Sequence, residues 1–359
     1  MDIEGKLALV RKKPVCEIVT ETELQELFEA NSHPKHYIGF EISGNLHLGS
    51  GLVTSLILKD FIAAGIRPTI LLADYHAWIN KKMGGDLEKI QNIAKGYFKS
   101  AFVSLGLPEN KVNYVLASEL YKKLGNDYWK EVLAVSKSTT MKRMLRCTTI
   151  MGRTKKESVD CSSVLYPAMQ TADIFALGID IAHSGIDQRK VHMLAREAAE
   201  KQKKKKVVAI HHKLLMGLLG PQKMGFEENE KQDIEISSKM SKSRPESIIC
   251  IHDSEKEIQD KLKKAYCPEK QAENNPVLEM CDNFLLRDEK SSLKIERPSK
   301  FGGNVEFSSY NELEKAYLSG KLHPADLKGA VTKSITKMLE PSRKYFEQHK
   351  QLLSGLQQK

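Results

Sequence analysis

Two short stretches far apart in the chain carry side chains suited to handling phosphate. The first, Gly44-Asn45-Leu46-His47-Leu48-Gly49-Ser50-Gly51, follows an apolar run, Tyr37-Ile38-Gly39-Phe40, and precedes a helical pattern over residues 52–64. In an open parallel sheet that position is the turn from the first strand into its helix, where backbone N–H groups and the positive helix end favour an anion. Gly49 and Gly51 let a nucleotide approach the backbone closely, and His47 offers a donor to a phosphate oxygen whose charge grows in a transition state. The second stretch, Lys239-Met240-Ser241-Lys242-Ser243, sets two ammonium groups and hydroxyl donors on a segment able to close over a polyphosphate. Taken singly, His47 is also readable as a satisfied surface histidine and the pentapeptide as a solvated charged loop. Their order along the chain, one after the first strand and one where the sheet ends, joins them into a single reading.

A third pattern is a polar stripe, Tyr166-Pro167-Ala168-Met169-Gln170-Thr171-Ala172-Asp173. Pro167 suits a first helical position and Gly178 a stop, so Tyr166, Gln170 and Asp173 fall at i, i+4 and i+7 on one face. Their neighbours Ala168, Met169, Ala172, Ile174, Phe175, Ala176 and Leu177 are apolar. A carboxylate and an amide buried in such company must be partnered by protein or by a polar ligand, the alternative being an exposed helix face. Further on, His183-Ser184-Gly185-Ile186-Asp187-Gln188-Arg189-Lys190 opens a helix at a sheet edge. Gly185 allows close approach there, and Asp187 can accept from ribose hydroxyls or cap the helix.

These residues need a scaffold, and the chain is long enough to supply one. Its 359 residues suggest two or three domains, and 56 Lys and Arg against 46 Asp and Glu give a net charge of +10. A basic balance points weakly to polyanionic partners. The 41% hydrophobic content argues against disorder. Cysteines at 16, 147, 161, 250, 267 and 281 form no metal-binding spacing, so no bound metal and a reduced thiol set are expected. The start lacks a signal-peptide core and no stretch is apolar enough to span a membrane, so a cytoplasmic protein is expected.

An amphipathic helix is expected over residues 20–30, capped by Thr20 or Thr22. The strand at Tyr37, the Gly-rich turn, the helix over 52–64 and the strand Pro68-Thr69-Ile70-Leu71-Leu72-Ala73 form a βαβ unit. Apolar runs over 112–116, 179–183 and 207–210 continue a doubly wound parallel sheet, interrupted by a helix-rich stretch over 117–156. Residues 217–247 read as a mobile loop or linker. Beyond Asp253 the pattern is helical, with breaks at Pro268, Pro298, Gly302-Gly303 and Pro324. The expected organisation is a Rossmann-like domain over 1–229, a loop and linker over 230–254 and a helical domain over 255–359. The Lys201–Lys206 run reads as a solvated helix end rather than a specific RNA contact.

With these residues in hand, the chain resembles the class I aminoacyl-tRNA synthetases, whose signatures are an HIGH-type loop and a KMSKS loop. His47-Leu48-Gly49-Ser50 matches the first in three of four positions and Lys239 to Ser243 matches the second throughout. Ser50 departs from the usual second His. Within the class, the stripe at 166–173 and Tyr37 are similar to the amino-acid pocket of the archaeal and eukaryotic tyrosyl-tRNA synthetases. That resemblance implies that Tyr166 and Gln170 hold the tyrosine ammonium, that Gln188 contacts the substrate tyrosine and that Asp173 and Tyr37 meet its phenol. It assigns Asp187 with Gly185 to the ATP ribose side, and His47, Gly49, Met240, Ser241 and Lys242 to ATP, with His47, Lys239 and Lys242 as catalytic groups. It gives Arg146, Arg189 and Lys190 to the first base pair of the acceptor stem. Arg297-Pro298-Ser299-Lys300-Phe301-Gly302-Gly303 and His323-Pro324-Ala325-Asp326 look like the anticodon site. There Phe301 and His323 can sandwich an unstacked base and Asp326 can accept from a guanine edge. The other reading puts Phe301 in a helical core and Asp326 at a helix cap.

The implied partners are L-tyrosine, ATP with accompanying Mg²⁺, tRNA(Tyr) and a second copy of the chain, for which residues 117–156, with Tyr128, Trp129, Val132, Leu133, Met141 and Met144, can supply the surface. Intramolecular packing explains those residues equally well. A tryptophanyl enzyme would not need the Tyr37 and Asp173 pair, and a non-catalytic RNA-binding paralogue would not need the intact 239–243 loop.

Overall fold

The expected strands build one six-stranded sheet in a computed structural model of the chain, which describes residues 1–152, 160–225, 229–242 and 244–356. Ser243 and the 153–156 end of the helix-rich stretch lie outside the described residues. The strands are β1 Val15–Val19, β2 Lys35–Glu41, β3 Arg67–Ala73, β4 Asn113–Leu116, β5 Ile181–Gly185 and β6 Val208–His212, in the order β1-β6-β5-β2-β3-β4. All neighbours are parallel except β1, which pairs antiparallel with β6. The doubly wound expectation therefore stands, with an unforeseen antiparallel edge. Central strands of β-branched and aliphatic residues are buried on both faces, as a parallel sheet covered by helices requires. In register, Tyr37 lies beside Thr69 of β3 and Ala182 of β5.

The chain divides into two compact units, one of residues 1–44, 55–213 and 351–359 and one of 45–54 and 214–350. The boundary thus falls upstream of residue 229, and the Gly-rich turn groups with the later residues. Backbone bonds account for this: Leu48 N donates to Ile249 O at 3.0 Å and Ile251 N to Leu46 O at 3.1 Å.

In the first unit, Glu21–Ala30 is helical under a capping box in which Thr20 and Glu23 satisfy each other's backbone N–H. The stripe helix runs over Cys161–Ala176, so Pro167 is interior rather than at the first position. The true start is set by Asp160, whose Oδ1 accepts from Ser163 N at 2.9 Å and from the Ser162 and Ser163 hydroxyls. Its end is as expected, with Gly178 at φ +57°. The helix-rich stretch contains Ala117–Leu124, Asn126–Ser138 and Met141–Cys147. Its inner face buries Tyr121, Tyr128, Val132 and Met144, while Trp129, Leu133 and Met141 are 44, 63 and 64% exposed.

In the second unit, the described residues of 217–247 are more ordered than a linker. Glu230–Ser237 is a helix capped by Asn229, Asp233 accepts from Met224 N and Gly225 N, and Leu218 N donates to Ser247 O. Helices Glu255–Lys264 and Pro324–Gln348 pack together, burying Ile258, Leu262, Val331 and Ile335, and Tyr310–Leu318 buries Leu313. The all-helical expectation misses a two-stranded hairpin, β7 Leu293–Ile295 with β8 Val305–Phe307. The last helix continues through Pro341: Phe346 beyond it is buried and Arg343 donates to Glu255 at 3.0 Å. Among the described residues no helix is long and apolar enough to cross a membrane.

Candidate functional site

The polar stripe is buried, and its partners arrive from several elements of the first unit. Asp173 is fully buried; its Oδ1 accepts from the Tyr128 hydroxyl at 3.0 Å. Its Oδ2 makes no hydrogen bond, the nearest cationic candidate being His76 Nε2 at 3.7 Å. Burial pushes the Asp173 carboxyl up to about 7, against the downward pull of the Tyr121 and Tyr128 hydroxyls. The same burial holds His76 near 4 and so neutral. Tyr121 and Tyr128 stack at 3.8 Å, and His76 meets Tyr166 edge-on at 4.6 Å. Tyr37 is buried on β2, and Asp173's charge adds to burial in raising its phenol. A methyl group on Gly39 would lie 2.9 Å from the Tyr37 hydroxyl, so the absent side chain at 39 makes room for that phenol.

Toward the carboxyl ends of the strands, the Tyr166 hydroxyl lies 3.4 Å from Glu41 Oε1, which also accepts from Asn80 Nδ2 at 2.7 Å. Gln170 Nε2 donates to Gln188 Oε1 at 3.4 Å, and Gln188 Nε2 to Ile150 O at 3.0 Å. The structure therefore brings Tyr37, Tyr166, Gln170, Asp173 and Gln188 into one region of the fold, along with His76, Glu41 and Tyr128. Sequence reasoning did not place these last three in the site. Each belongs to another element, and only the aromatic content of residues 117–156 hinted at Tyr128.

In the second unit, His47 caps the short helical turn Leu48–Leu52. Its Nδ1 accepts from Gly49 N at 3.2 Å, while its own N–H donates to Ser50 Oγ at 3.2 Å. Ser50, where the resemblance suggested a second His, thus closes a reciprocal cap. Burial, with the charges of Lys242 and Lys239, pushes His47 down to about 3. A neutral imidazole accepting at Nδ1 carries its proton on Nε2, which leaves Nε2–H as a donor. Lys239 forms a bridge with Met216 and Met240 N donates to Leu215 O, so buried Met240 anchors the segment that carries Lys239, Ser241 and Lys242. The unit therefore gathers one neutral donor and two cations, a set suited to a polyphosphate.

Gly185 ends β5, an interior strand, and Asp187 lies in the turn Ile186–Gln188. The cap position of the following helix is Gln188, without a side-chain capping bond, so the capping alternative for Asp187 does not apply. Arg146 is exposed, Arg189 is paired with Glu17, and Lys190 Nζ donates to Thr149 Oγ1 at 3.1 Å. Phe301 is 59% exposed in the turn Ser299–Phe301, not in a helical core. Arg297 donates to Gly303 O at 2.7 Å and to Lys321 O at 2.8 Å, which ties the Phe301 loop to the segment preceding His323. His323, not Asp326, caps the last helix, accepting from Ala325 N at 3.1 Å. In the lysine run, Lys204 pairs with Glu131 and Lys206 with Glu200 at 2.8 Å, as a helix end held by its own chain.

Comparison with known proteins follows the same lines. The chain matches the family of class I tRNA synthetases (W and Y) over residues 29–238 and 232–340. It is 47% identical to the tyrosine–tRNA ligase of Thermococcus sibiricus and 48% identical to that of Pyrococcus furiosus, in each case over 97% of this chain and 96% of the relative. The tyrosyl-tRNA synthetase of Pyrococcus horikoshii, solved with L-tyrosine, superposes with a TM-score of 0.93 at 45% identity, covering 99% of both chains. The archaeal tryptophanyl-tRNA synthetase of Aeropyrum pernix shares the fold at 18% identity and a TM-score of 0.67. Matched by the family model over most of its length and by relatives over nearly their full length, the chain belongs to the class I tRNA synthetases of the tryptophan and tyrosine branch.

Proposed function

We propose that the chain activates L-tyrosine with ATP, giving tyrosyl-adenylate and pyrophosphate, and transfers the tyrosyl group to the 3′ end of tRNA(Tyr). The observation that carries the choice of tyrosine is the buried Asp173, with one oxygen bonded to Tyr128 and the other without a hydrogen bond. A desolvated carboxylate oxygen in an aromatic-walled site is stabilised by a ligand hydroxyl, which phenylalanine lacks and which tryptophan's indole does not offer. Tyr37 is the second phenol partner. At the other end Tyr166, Gln170 and Gln188 supply oxygens for the ammonium, and the Glu41 carboxylate beside Tyr166 supplies compensating charge.

Neither step requires a protein nucleophile. The tyrosine carboxylate attacks the α-phosphate in line, and the chain's part is to position the reactants and stabilise charge. His47 donates through Nε2–H, Lys239 and Lys242 neutralise the developing negative charge, and Gly49, Met240 and Ser241 line the ATP. Gly185 leaves room beside the ribose and Asp187 accepts from its hydroxyls. Mg²⁺ accompanies ATP and shares the phosphate charge. The tRNA is read at the acceptor end by Arg146, Arg189 and Lys190, and at the anticodon by Phe301, His323 and Asp326. The loop tie made by Arg297 supports the anticodon reading.

Residues 1–229 then serve catalysis, 230–254 carry the signature loop and 255–359 serve anticodon binding. The exposed Trp129, Leu133 and Met141 on the 117–152 helices support a homodimer, since an apolar face of this kind is stabilised by a second copy. The cytoplasm, where tRNA, ATP and tyrosine meet, is the proposed site of action. Amino-acid-dependent exchange of labelled pyrophosphate into ATP tests the proposal. Exchange with tyrosine, and not with phenylalanine or tryptophan, is expected; exchange with tryptophan alone would overturn the assignment of the pocket.

A further inference from the structure

Arg189 starts the Arg189–Lys201 helix, and its guanidinium is held by one group. Its Nε lies 2.9 Å from Glu17 Oε1 and 2.8 Å from Glu17 Oε2. Both carboxylate oxygens therefore converge on the Nε–H. Among the described residues neither Nη1 nor Nη2 of Arg189 makes a hydrogen bond.

Glu17 is itself braced from inside the fold. It lies on edge strand β1 directly opposite His211 of β6, and the register shifts between Val15 and Glu17 as at a β-bulge, a device that re-aims a side chain. His211 Nδ1 sits 2.7 Å from Glu17 Oε2, and His211 Nε2 lies 3.1 Å from His192 Nδ1. Burial lowers both histidines, so both are neutral and their protons are assigned by the geometry. His211 donates Nδ1–H to the carboxylate and accepts at Nε2 from His192 Nδ1–H. Burial alone would raise the Glu17 carboxyl, but the hydrogen bonds from Arg189 and His211 and the Arg189 charge hold it below its ordinary range, and so ionised.

We propose that Glu17 is a positioning residue for the transfer step: by holding Nε of Arg189 it presents the Nη1/Nη2 edge as a two-pronged donor for the O6 and N7 of a guanine in the first acceptor base pair. The proposal rests on the reading of Arg189 as an acceptor-stem residue. A partly exposed arginine at a helix start otherwise samples many rotamers, and ordering it must be offset by the RNA it meets. Held in advance by a carboxylate that is fixed by two buried imidazoles, the fork loses less freedom on binding. A lysine is a poorer substitute, since its three donors sit on one tetrahedral nitrogen and lack the planar fork whose one edge can be held while the other faces outward.

The test uses the full chain and two tRNA transcripts that differ only in whether the first acceptor base pair is the matching one or its reverse. Aminoacylation is measured with each, and tyrosine-dependent pyrophosphate exchange in parallel reports on fold and activation. Glu17→Gln is expected to lower kcat/KM for the matching transcript by about tenfold, to change the reversed one by less than about twofold and to leave exchange intact. Arg189→Lys should act likewise, and the double variant should be no worse than Arg189→Lys alone. Equal losses of Glu17→Gln on both transcripts, or a fall in exchange in step with aminoacylation, would show a merely structural carboxylate and overturn the proposal. If Arg189→Lys loses discrimination while Glu17→Gln keeps it, positioning fails and the acceptor-stem reading survives. If Arg189→Lys keeps full discrimination, that reading fails and the proposal falls with it.

Discussion

Replacing Asp173 with alanine tests the part of the site that chooses the amino acid. Oδ2 of this buried carboxylate makes no hydrogen bond within the protein, and on the proposed reading the hydroxyl of tyrosine donates to it. A hydrogen bond to a charged group contributes about 1.5–3 kcal/mol, and phenylalanine forfeits it while still desolvating the carboxylate. At 1.36 kcal/mol per tenfold, Asp173 therefore accounts for about 10- to 150-fold of the preference for tyrosine. Tyrosyl-tRNA synthetases discriminate against phenylalanine by about 10⁵ overall, which on the proposed reading leaves the remainder to Tyr37 and to the rest of the pocket. Asp173→Ala should accordingly lower the ratio of kcat/KM for tyrosine over phenylalanine by about 10- to 150-fold, read by pyrophosphate exchange with each amino acid. Asp173→Asn keeps an acceptor oxygen without the charge and should fall between. Alanine also strands the Tyr128 hydroxyl, so a lower Tm is expected without bearing on the ratio. An unchanged ratio in folded Asp173→Ala would refute the reasoning.

Gly39→Ala places a methyl group 2.9 Å from the Tyr37 hydroxyl, so KM for tyrosine should rise about tenfold with KM for ATP unmoved; equal changes in both would point to a general distortion of the strand. Lys242→Ala should slow exchange by about 10²- to 10³-fold while tyrosine binding, followed by equilibrium dialysis, stays the same. A loss confined to tyrosine affinity would contradict the phosphate role. The buried imidazoles His36, His76 and His212, pushed down to about 3, 4 and 4, are neutral in the fold and protonate near 6.5 when unfolded. The unfolded chain then binds more protons, so stability present above pH 6.5 is lost as pH falls toward 4. Calorimetry should show Tm dropping across that window, and a flat Tm would mean that these rings are not held neutral.

The central strands were legible because each is a continuous apolar run that only a covered parallel sheet explains, and their β-branched residues announce themselves locally. Strand β1 was not: Val15-Cys16-Glu17-Ile18-Val19 is a short edge whose pairing with β6 is fixed nearly two hundred residues away. The hairpin of β7 and β8, three residues a side, is too brief to outweigh the helical periodicity around it. Pro167 misled for a related reason, because a proline is tolerated inside a long helix whose start is already fixed by a strong cap at Asp160.

The site divides in the same way. Tyr166, Gln170 and Asp173 share a helical face, and a period of 3.6 residues reveals such a group without any fold. His76, Glu41 and Tyr128 have no common period, since each is delivered by a different helix or strand, and convergence of that kind is a property of the tertiary structure alone. Sequence could say that a carboxylate amid Ala, Met, Ile and Phe needs partners. It could not say how many the protein itself provides. The structure answers with one direct hydrogen bond, from Tyr128 to Oδ1, and none to Oδ2. An unpaired buried acceptor costs about 1–3 kcal/mol and more when charged, and on the proposed reading a phenol hydroxyl donating to Oδ2 offsets that cost.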